Sequence, residues 1–179
     1  MTIRLATVDD ADAVAEIYRP YVESTAISFE VVAPTPAEMH ARLSGTLARF
    51  PWLVCEDEGR VLGYAYASAH HARVAYQWSV DTAVYVDQGA RRRGIGRQLY
   101  AALFPRLVRQ GFVNAYAGIT LPNESSVGLH ESLGFVPVGV YRNVGYKCGQ
   151  WRDVGWWSLP LQPLPSSPQP PSALPDMER

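Results

Sequence analysis

The residues best suited to chemistry in this chain lie in one run: Val84-Tyr85-Val86, then Asp87-Gln88-Gly89-Ala90, then Arg91-Arg92-Arg93-Gly94-Ile95-Gly96-Arg97. A short β-branched segment ends in a polar turn, a basic glycine-bearing loop follows, and the loop opens into a helix-forming stretch, Gln98 to Gln110. A strand feeding a glycine loop at a helix N-terminus presents unpaired backbone N–H groups and the positive end of a helix dipole, the ingredients of a phosphate site. Glycine serves there because a Cβ would hold the backbone away from the anion or forbid the dihedrals the loop needs. Two commoner phosphate loops are excluded. The nucleotide P-loop needs Gly-Lys-Ser/Thr, and Gly94-Ile95-Gly96-Arg97-Gln98 has neither the lysine nor a magnesium-binding hydroxyl. The dinucleotide fingerprint needs a third glycine and an early place in a βαβ unit, and both are missing. From the loop alone, a solvated helix start with surface arginines is an equal reading.

Other polar residues suggest a site without defining one. Ser126 and His130 are one helical turn apart and share a face, with Asn123 just before the first turn. On residue types alone, His130 reads as a core histidine, Asn123 as a helix cap, and Asp81 as a strand-end carboxylate bonded to backbone or paired with Arg73. His70 and His71 are adjacent rather than spaced along a helix, and no acidic cluster accompanies them, so no metal is expected.

Composition bounds the function. The chain has 179 residues, 47% hydrophobic and 18% charged, which is ordinary globular composition for one domain with a real core. A net charge of −1 argues against a nucleic-acid binder, whose phosphate contacts require a basic surface. The local Arg91–Arg93 run suits one small polyanion better than a duplex. Two cysteines, Cys55 and Cys148, make no disulfide framework, so the reducing cytoplasm is the expected location. No apolar stretch is long enough to span a membrane, and the N-terminus lacks a signal-peptide core.

The elements that must hold these residues follow from periodicity. Ile3 and Leu5 mark a first strand. Asp9 or Asp10 can cap a helix with the apolar face Val14, Ile17, Tyr18 and Tyr21, which Pro20 should kink or end. Thr35-Pro36-Ala37-Glu38 is a capping box with proline at the first helical position, opening a helix with the stripe Met39, Leu43, Leu47 and Phe50. Trp52–Glu56 and Val61–Ala67 read as a hairpin across Asp57–Arg60, and Asp81–Val86 as the fourth strand. Pro105 should bend the long helix, which Gly111 ends. Val113–Thr120 is a buried strand, Ser125–Leu133 a short helix stopped by Gly134, and Phe135–Lys147 with Asp153–Leu161 an aromatic closing hairpin. The order β-α-α-β-β-β-α-β-α-β-β is α+β or α/β with a mixed sheet. The domain spans 1–161, and the proline-, serine- and glutamine-rich stretch 162–179 reads as a disordered tail.

This order, with Arg-x-x-Gly-x-Gly after the fourth strand, resembles the GCN5-related N-acetyltransferase (GNAT) superfamily from end to end, excluding the tail. Three further segments resemble its phosphinothricin and methionine sulfoximine branch: Ala75-Tyr76-Gln77-Trp78-Ser79-Val80-Asp81-Thr82, Leu121 to Phe135, and Gly145 to Gly155. The resemblance implies the GNAT fold: about seven strands flanked by four helices, splayed between strands 4 and 5. It also implies an acetyl-coenzyme A-dependent N-acetyltransferase acting on the α-amine of a small amino acid or analogue, without metal, as a homodimer. A protein N-terminus, a polyamine, or a non-catalytic acyl-coenzyme A module are the alternatives.

The resemblance also implies roles. Backbone from Arg92, Gly94, Ile95, Gly96 and Arg97 would hold the pyrophosphate, with Arg91, Arg93 or Arg97 adding charge. Val84, Tyr85 and Val86 would pair with the pantetheine arm, a backbone N–H of Tyr85 or Val86 meeting the thioester oxygen. Asn123 and Ser126 would bond the same arm. Asp81 would take the amine's proton; it stands where the branch usually has glutamate, and its shorter reach favours a bridging water. His130, where many superfamily members have tyrosine, would protonate the departing thiolate as an imidazolium. Arg73, Arg142 and Lys147 would bind substrate oxygens, with Tyr76, Trp78 and Thr82 shaping the wall.

Overall fold

Seven strands form one sheet: Thr2–Leu5 (β1), Trp52–Asp57 (β2), Arg60–Ala69 (β3), Ser79–Val86 (β4), Asn114–Leu121 (β5), Val136–Lys147 (β6) and Gln150–Pro160 (β7). They lie in the order β1-β2-β3-β4-β5-β7-β6 in the computed structural model, which describes residues 1–174. Four α-helices accompany them: Ala11–Glu23 (α1), Pro36–Leu47 (α2), Ile95–Gln110 (α3) and Glu124–Ser132 (α4). All neighbouring strands are antiparallel except β4 and β5, so the sheet is mixed, as expected.

Both faces of the sheet are covered, which is why β2 and β3 are apolar on both sides. Leu53, Cys55, Leu62, Ala65 and Ala67 pack toward α3, while Trp52, Val54, Val61 and Tyr64 pack toward α1 and α2. β4 and β5 pair only at Ser79–Asn114, Val80–Ala115 and Asp81–Tyr116, then diverge. One rung further, Thr82 Oγ1 donates to the Tyr116 carbonyl at 3.2 Å, a side chain bridging where the backbone ladder has stopped.

The turn signals behaved locally as read. Thr35 and Glu38 close their capping box, and Gly111 ends α3 at φ 95°. Pro20 does not end α1, which continues to Glu23 with Tyr21 and Val22 buried beyond it, and α3 runs on through Pro105. Phe50 lies beyond the end of α2, although it is buried. The long helix begins at Ile95 rather than Gln98, so the glycine loop is shorter than expected.

The segment 162–174 has no regular element up to its last residue, yet it lies along the body of the protein. Gln162 Nε2 donates to the Phe112 carbonyl, Trp78 Nε1 to that of Gln169, Ser172 N to that of Gln110 and Leu174 N to that of Arg49. Composition registered the missing periodicity but carried no sign of these contacts. Residues 175–179 of the expected tail lie outside the described residues.

Asp10 takes the N-cap position of α1 but turns its carboxylate away from the helix. It accepts two bonds from Arg4, at 2.7 and 2.8 Å, and one from the Thr7 N–H at 2.8 Å. Burial alone would raise its pKa; the bonds from Arg4 and Thr7 outweigh burial and hold it below the usual carboxylate range. A carboxyl whose folded pKa is depressed stabilises above its unfolded pKa and loses that contribution as pH falls through the folded one. Asp10→Ala is therefore expected to destabilise by about 2–3 kcal/mol at pH 7. In urea denaturation the gap to wild type should shrink below about pH 4; a gap of equal size at pH 3 would remove the ion pair as its cause.

Candidate active site

Three neighbouring spaces, each sharing lining residues with the next, lie along the divergence of β4 and β5. The first, a groove of 530 Å³, is lined by Val84, Val86, Ala90 to Arg92, Gly94 to Arg97, and the start of α4. Its floor is the basic loop: Arg92 at φ 64° and Gly94 at φ 74° both adopt left-handed backbone, which turns successive amides into the first turn of α3. Gly96 lets α3 approach α4, for a Cβ there would come within 3.0 Å of Leu129. The second, a slot of 60 Å³, lies between Thr82–Tyr85 and Ala117–Thr120. The third, a cavity of 480 Å³, opens beyond it and is bordered by Tyr66, Ser68, Asp81, Thr82, Tyr85 and Trp156, among others.

Of the residues read as a cofactor site, most line the groove and two do not. Arg91, Arg92, Gly94, Ile95, Gly96, Arg97, Val84, Val86, Asn123 and Ser126 all border it. Arg93 is turned away, bonded to Asp57 at 2.9 Å. Tyr85 contributes its ring to a buried cluster with Tyr18, Tyr21 and Tyr64. Its backbone also points the wrong way. The Asp87 N–H bonds to Leu62 of β3, and strand alternation sends the Tyr85 N–H to the same side. The N–H groups of Val84 and Val86 face the divergence instead, that of Val86 meeting the Tyr21 hydroxyl at 3.3 Å. That hydroxyl donates to the Val86 carbonyl at 2.6 Å. Asn123 caps α4, accepting from Ser126 N at 3.2 Å, so its two readings coexist.

His130 is buried at 4% exposure. Its Nδ1–H donates to the Ser126 carbonyl at 2.7 Å, which leaves Nε2 to accept from the Tyr100 hydroxyl at 3.0 Å. Burial pushes its pKa below the ordinary histidine value, with the Ser126 bond opposing. The geometry speaks against the expected imidazolium donor: burial disfavours the charged ring, and its Nδ1–H is engaged by Ser126.

The residues read as substrate ligands fare differently again. Thr82 lines the third cavity. Arg73 and Tyr76 border a separate 110 Å³ recess, and Trp78 bonds to the 162–174 segment. Arg142 pairs with Asp153 at 2.6 Å. Lys147, 8% exposed, spends all three of its protons on carbonyls, those of Val22, Ser28 and Glu30, at 2.6 to 2.7 Å. A cation so engaged does not meet a substrate carboxylate; it fixes the α1–α2 loop, whose Ile27 borders all three spaces. Arg42 reinforces that loop with a bidentate pair to Glu30.

Asp81 borders the third cavity, at its junction with the slot. Arg73 is not its partner. His70 is, with Nδ1 2.6 Å from Oδ1. The spacing of two adjacent histidines speaks only to metal binding, so it does not reveal His70 as this partner. The signal was present: Ser68 pairs with Asp81 across β3 and β4, and His70 is two residues on, returning to the same face. Burial raises the Asp81 pKa, and the His70 bond opposes that rise. Among the described residues no His, Cys, Asp and Glu group could hold a metal ion, and no helix is long and apolar enough to cross a membrane.

An acetyltransferase (GNAT) domain model matches residues 3–156. The chain belongs to the GNAT acetyltransferases. It is 44% identical over 168 residues to a phosphinothricin N-acetyltransferase of Streptomyces viridochromogenes, covering 94% of this chain and 91% of that one. It is 36% identical to an L-methionine sulfoximine/L-methionine sulfone acetyltransferase of Pseudomonas aeruginosa, covering 93% and 98% respectively. The crystal structure of a Sinorhizobium meliloti phosphinothricin acetyltransferase in complex with acetyl-coenzyme A superposes with a TM-score of 0.89 at 34% identity, covering 97% of each chain. As a GNAT member the chain is an acetyl-coenzyme A-dependent N-acetyltransferase, and its seven strands and four helices are that fold.

Removing the Lys147 ammonium tests the reassignment of this residue. Lys147→Met should leave three carbonyls without a donor and destabilise the protein by about 2–4 kcal/mol. Hydrogen exchange of the amides in 24–34 should accelerate while those of β2 and β3 keep their protection; unchanged exchange in the loop would refute the anchoring role.

Proposed function

We propose that this enzyme transfers the acetyl group of acetyl-coenzyme A to the α-amine of a small amino acid or analogue of the phosphinothricin or methionine sulfoximine kind. One observation carries the reading: the anion-binding groove and the slot share Val84, Asn123 and Ser126, and the slot and the Asp81 cavity share Thr82, Ala83 and Tyr85, so a donor and an amine entering from opposite sides would meet beside Val84. The names of the relatives support the substrate class.

The groove fits a pyrophosphate because its amides converge at a helix N-terminus under Arg91, Arg92 and Arg97. When bound there, acetyl-coenzyme A supplies an activated thioester. The free edge of β4 suits the pantetheine amides, and the N–H of Val84 or Val86 is the donor proposed for the oxyanion. Asp81 is the proposed base, taking a proton from the arriving ammonium group directly or through water. Neutral His130 holds Ser126 and Tyr100 in place. Asp81 is the one carboxylate bordering the acceptor cavity among the described residues, which suits one amine better than a polyamine.

A homodimer and a cytoplasmic location complete the proposal. The two free cysteines fit a reducing compartment. β6 is an edge strand whose hairpin exposes Val136, Val138, Tyr141, Val144, Tyr146 and Trp151, an apolar face suited to a second copy. In light scattering the wild type should have twice the chain mass, and Val138→Asp with Trp151→Asp should halve it; a monomeric wild type would end the dimer reading.

Coenzyme A thiol should appear when phosphinothricin, methionine sulfoximine or methionine sulfone is added to protein and acetyl-coenzyme A. Silence across a broad amino-acid panel would defeat the substrate class. Asp81→Asn should lower kcat by about 10²–10⁴-fold with coenzyme A affinity retained; an unchanged kcat would remove Asp81 as base.

A further inference from the structure

His70 lies outside the walls of the acceptor cavity, behind Asp81. Its ring is stacked on Tyr116 at 4.4 Å and 15°, with Trp156 edge-on at 5.9 Å and His71 tilted against it at 4.4 Å. Such packing leaves the imidazole little freedom to rotate. The contact between Nδ1 and Oδ1 is 2.6 Å, and opposite an ionised, acceptor-only carboxylate it requires the proton on Nδ1. Asp81 Oδ2 takes no hydrogen bond from the described residues.

We propose that His70 is a positioning residue for amine deprotonation: its Nδ1–H fixes Oδ1 of Asp81, leaving Oδ2 as the oxygen that meets the amine or its bridging water. This inference rests on the acetyl-transfer reading. The physical need is clear. A half-buried carboxylate with no lysine or arginine partner tends to take up a proton, and a protonated Asp81 cannot accept another. An N–H donor held against Oδ1 favours the ionised form of the carboxyl. The other titratable groups facing Asp81 do not substitute for it. Tyr66 on β3 is pushed up to about 12 by burial and stays neutral. Tyr116 on β5 is occupied in stacking on His70, and His71 contributes only through space.

The test is the pH profile of kcat/KM for wild type, His70→Ala and His70→Asn, with the best amine from the panel. Loss of the donor raises the Asp81 pKa, so the acid limb of His70→Ala should move to higher pH. Its kcat/KM near pH 6.5 should fall about tenfold, with unchanged affinity for coenzyme A. Asparagine places an N–H near the Nδ1 position without titrating, so His70→Asn should recover most of both. An unshifted acid limb in His70→Ala, or no recovery with asparagine, overturns the proposal. Nitrogen NMR of the imidazole gives a readout without turnover: wild type should show the Nδ1–H tautomer and Asp81→Asn should lose that preference. An Nε2–H tautomer in wild type overturns the proposal even if His70→Ala fails to fold. Because that measurement needs no amine, a dead substrate panel defeats only the functional reading.

Discussion

The site exists because two parallel strands stop pairing after Asp81 and Tyr116. Unpaired backbone groups inside a protein are expensive, so the separation must be held open by other bonds. The Tyr21 hydroxyl supplies two, one to the N–H and one to the carbonyl of Val86. Thr82 Oγ1 reaches the Tyr116 carbonyl, and Thr120 Oγ1 reaches that of Ile27 at 3.3 Å. Side chains thus terminate the ladder at one end and stabilise its open part, leaving the middle of β4 with donors for an extended ligand. The same opening puts Asp81, the last paired residue, where the two approaches converge.

What could be read from the sequence was what is decided locally. The loop from Arg91 to Arg97, the Thr35–Glu38 box and the Gly111 cap depend on residues within a turn of one another, and one sequence window contains all of them. The functions of charged side chains are not local. Arg93, Arg142 and Lys147 are chemically plausible anion ligands, yet Asp57, Asp153 and three backbone carbonyls engage them. Those partners lie 36, 11 and more than 100 residues away in sequence. That α1 does not end at Pro20 has a related reason: burial of Tyr21 and Val22 outweighs one lost helix bond. His70 was legible only through the β3–β4 register, which periodicity alone does not supply.

The arginine run shows how a nearly neutral protein concentrates positive charge. Arg93 is neutralised by Asp57, which the N-terminal ammonium also contacts at 3.0 Å. Arg91 lies over the Tyr21 ring at 5.4 Å, and Arg97 bonds to Ser132 at 2.8 Å. Both are held by neutral partners, so their charge remains uncompensated beside the groove. Divided this way, one arginine of the run pins the loop to β2 while Arg91 and Arg97 keep charge beside the groove, as the proposed diphosphate site requires, and screening confines the effect to about 10 Å.

Proton traffic through the site runs mainly on one side. Acetyl transfer from a thioester to an ammonium releases one proton overall if coenzyme A leaves as the thiol, whose ordinary pKa near 8.5 makes it mostly protonated at neutral pH. A group storing a proton for the thiolate must be charged or hold a spare hydrogen. His130 is poorly placed for this, since burial disfavours its charged form and Ser126 occupies its Nδ1–H. On the proposed amine side stands Asp81, a carboxyl whose pKa burial raises and the His70 bond restrains. The leaving thiolate, in an open groove, can take its proton from water, so on the proposed mechanism the acid–base groups of the protein are needed chiefly at the ammonium group, which must lose a proton before it can attack.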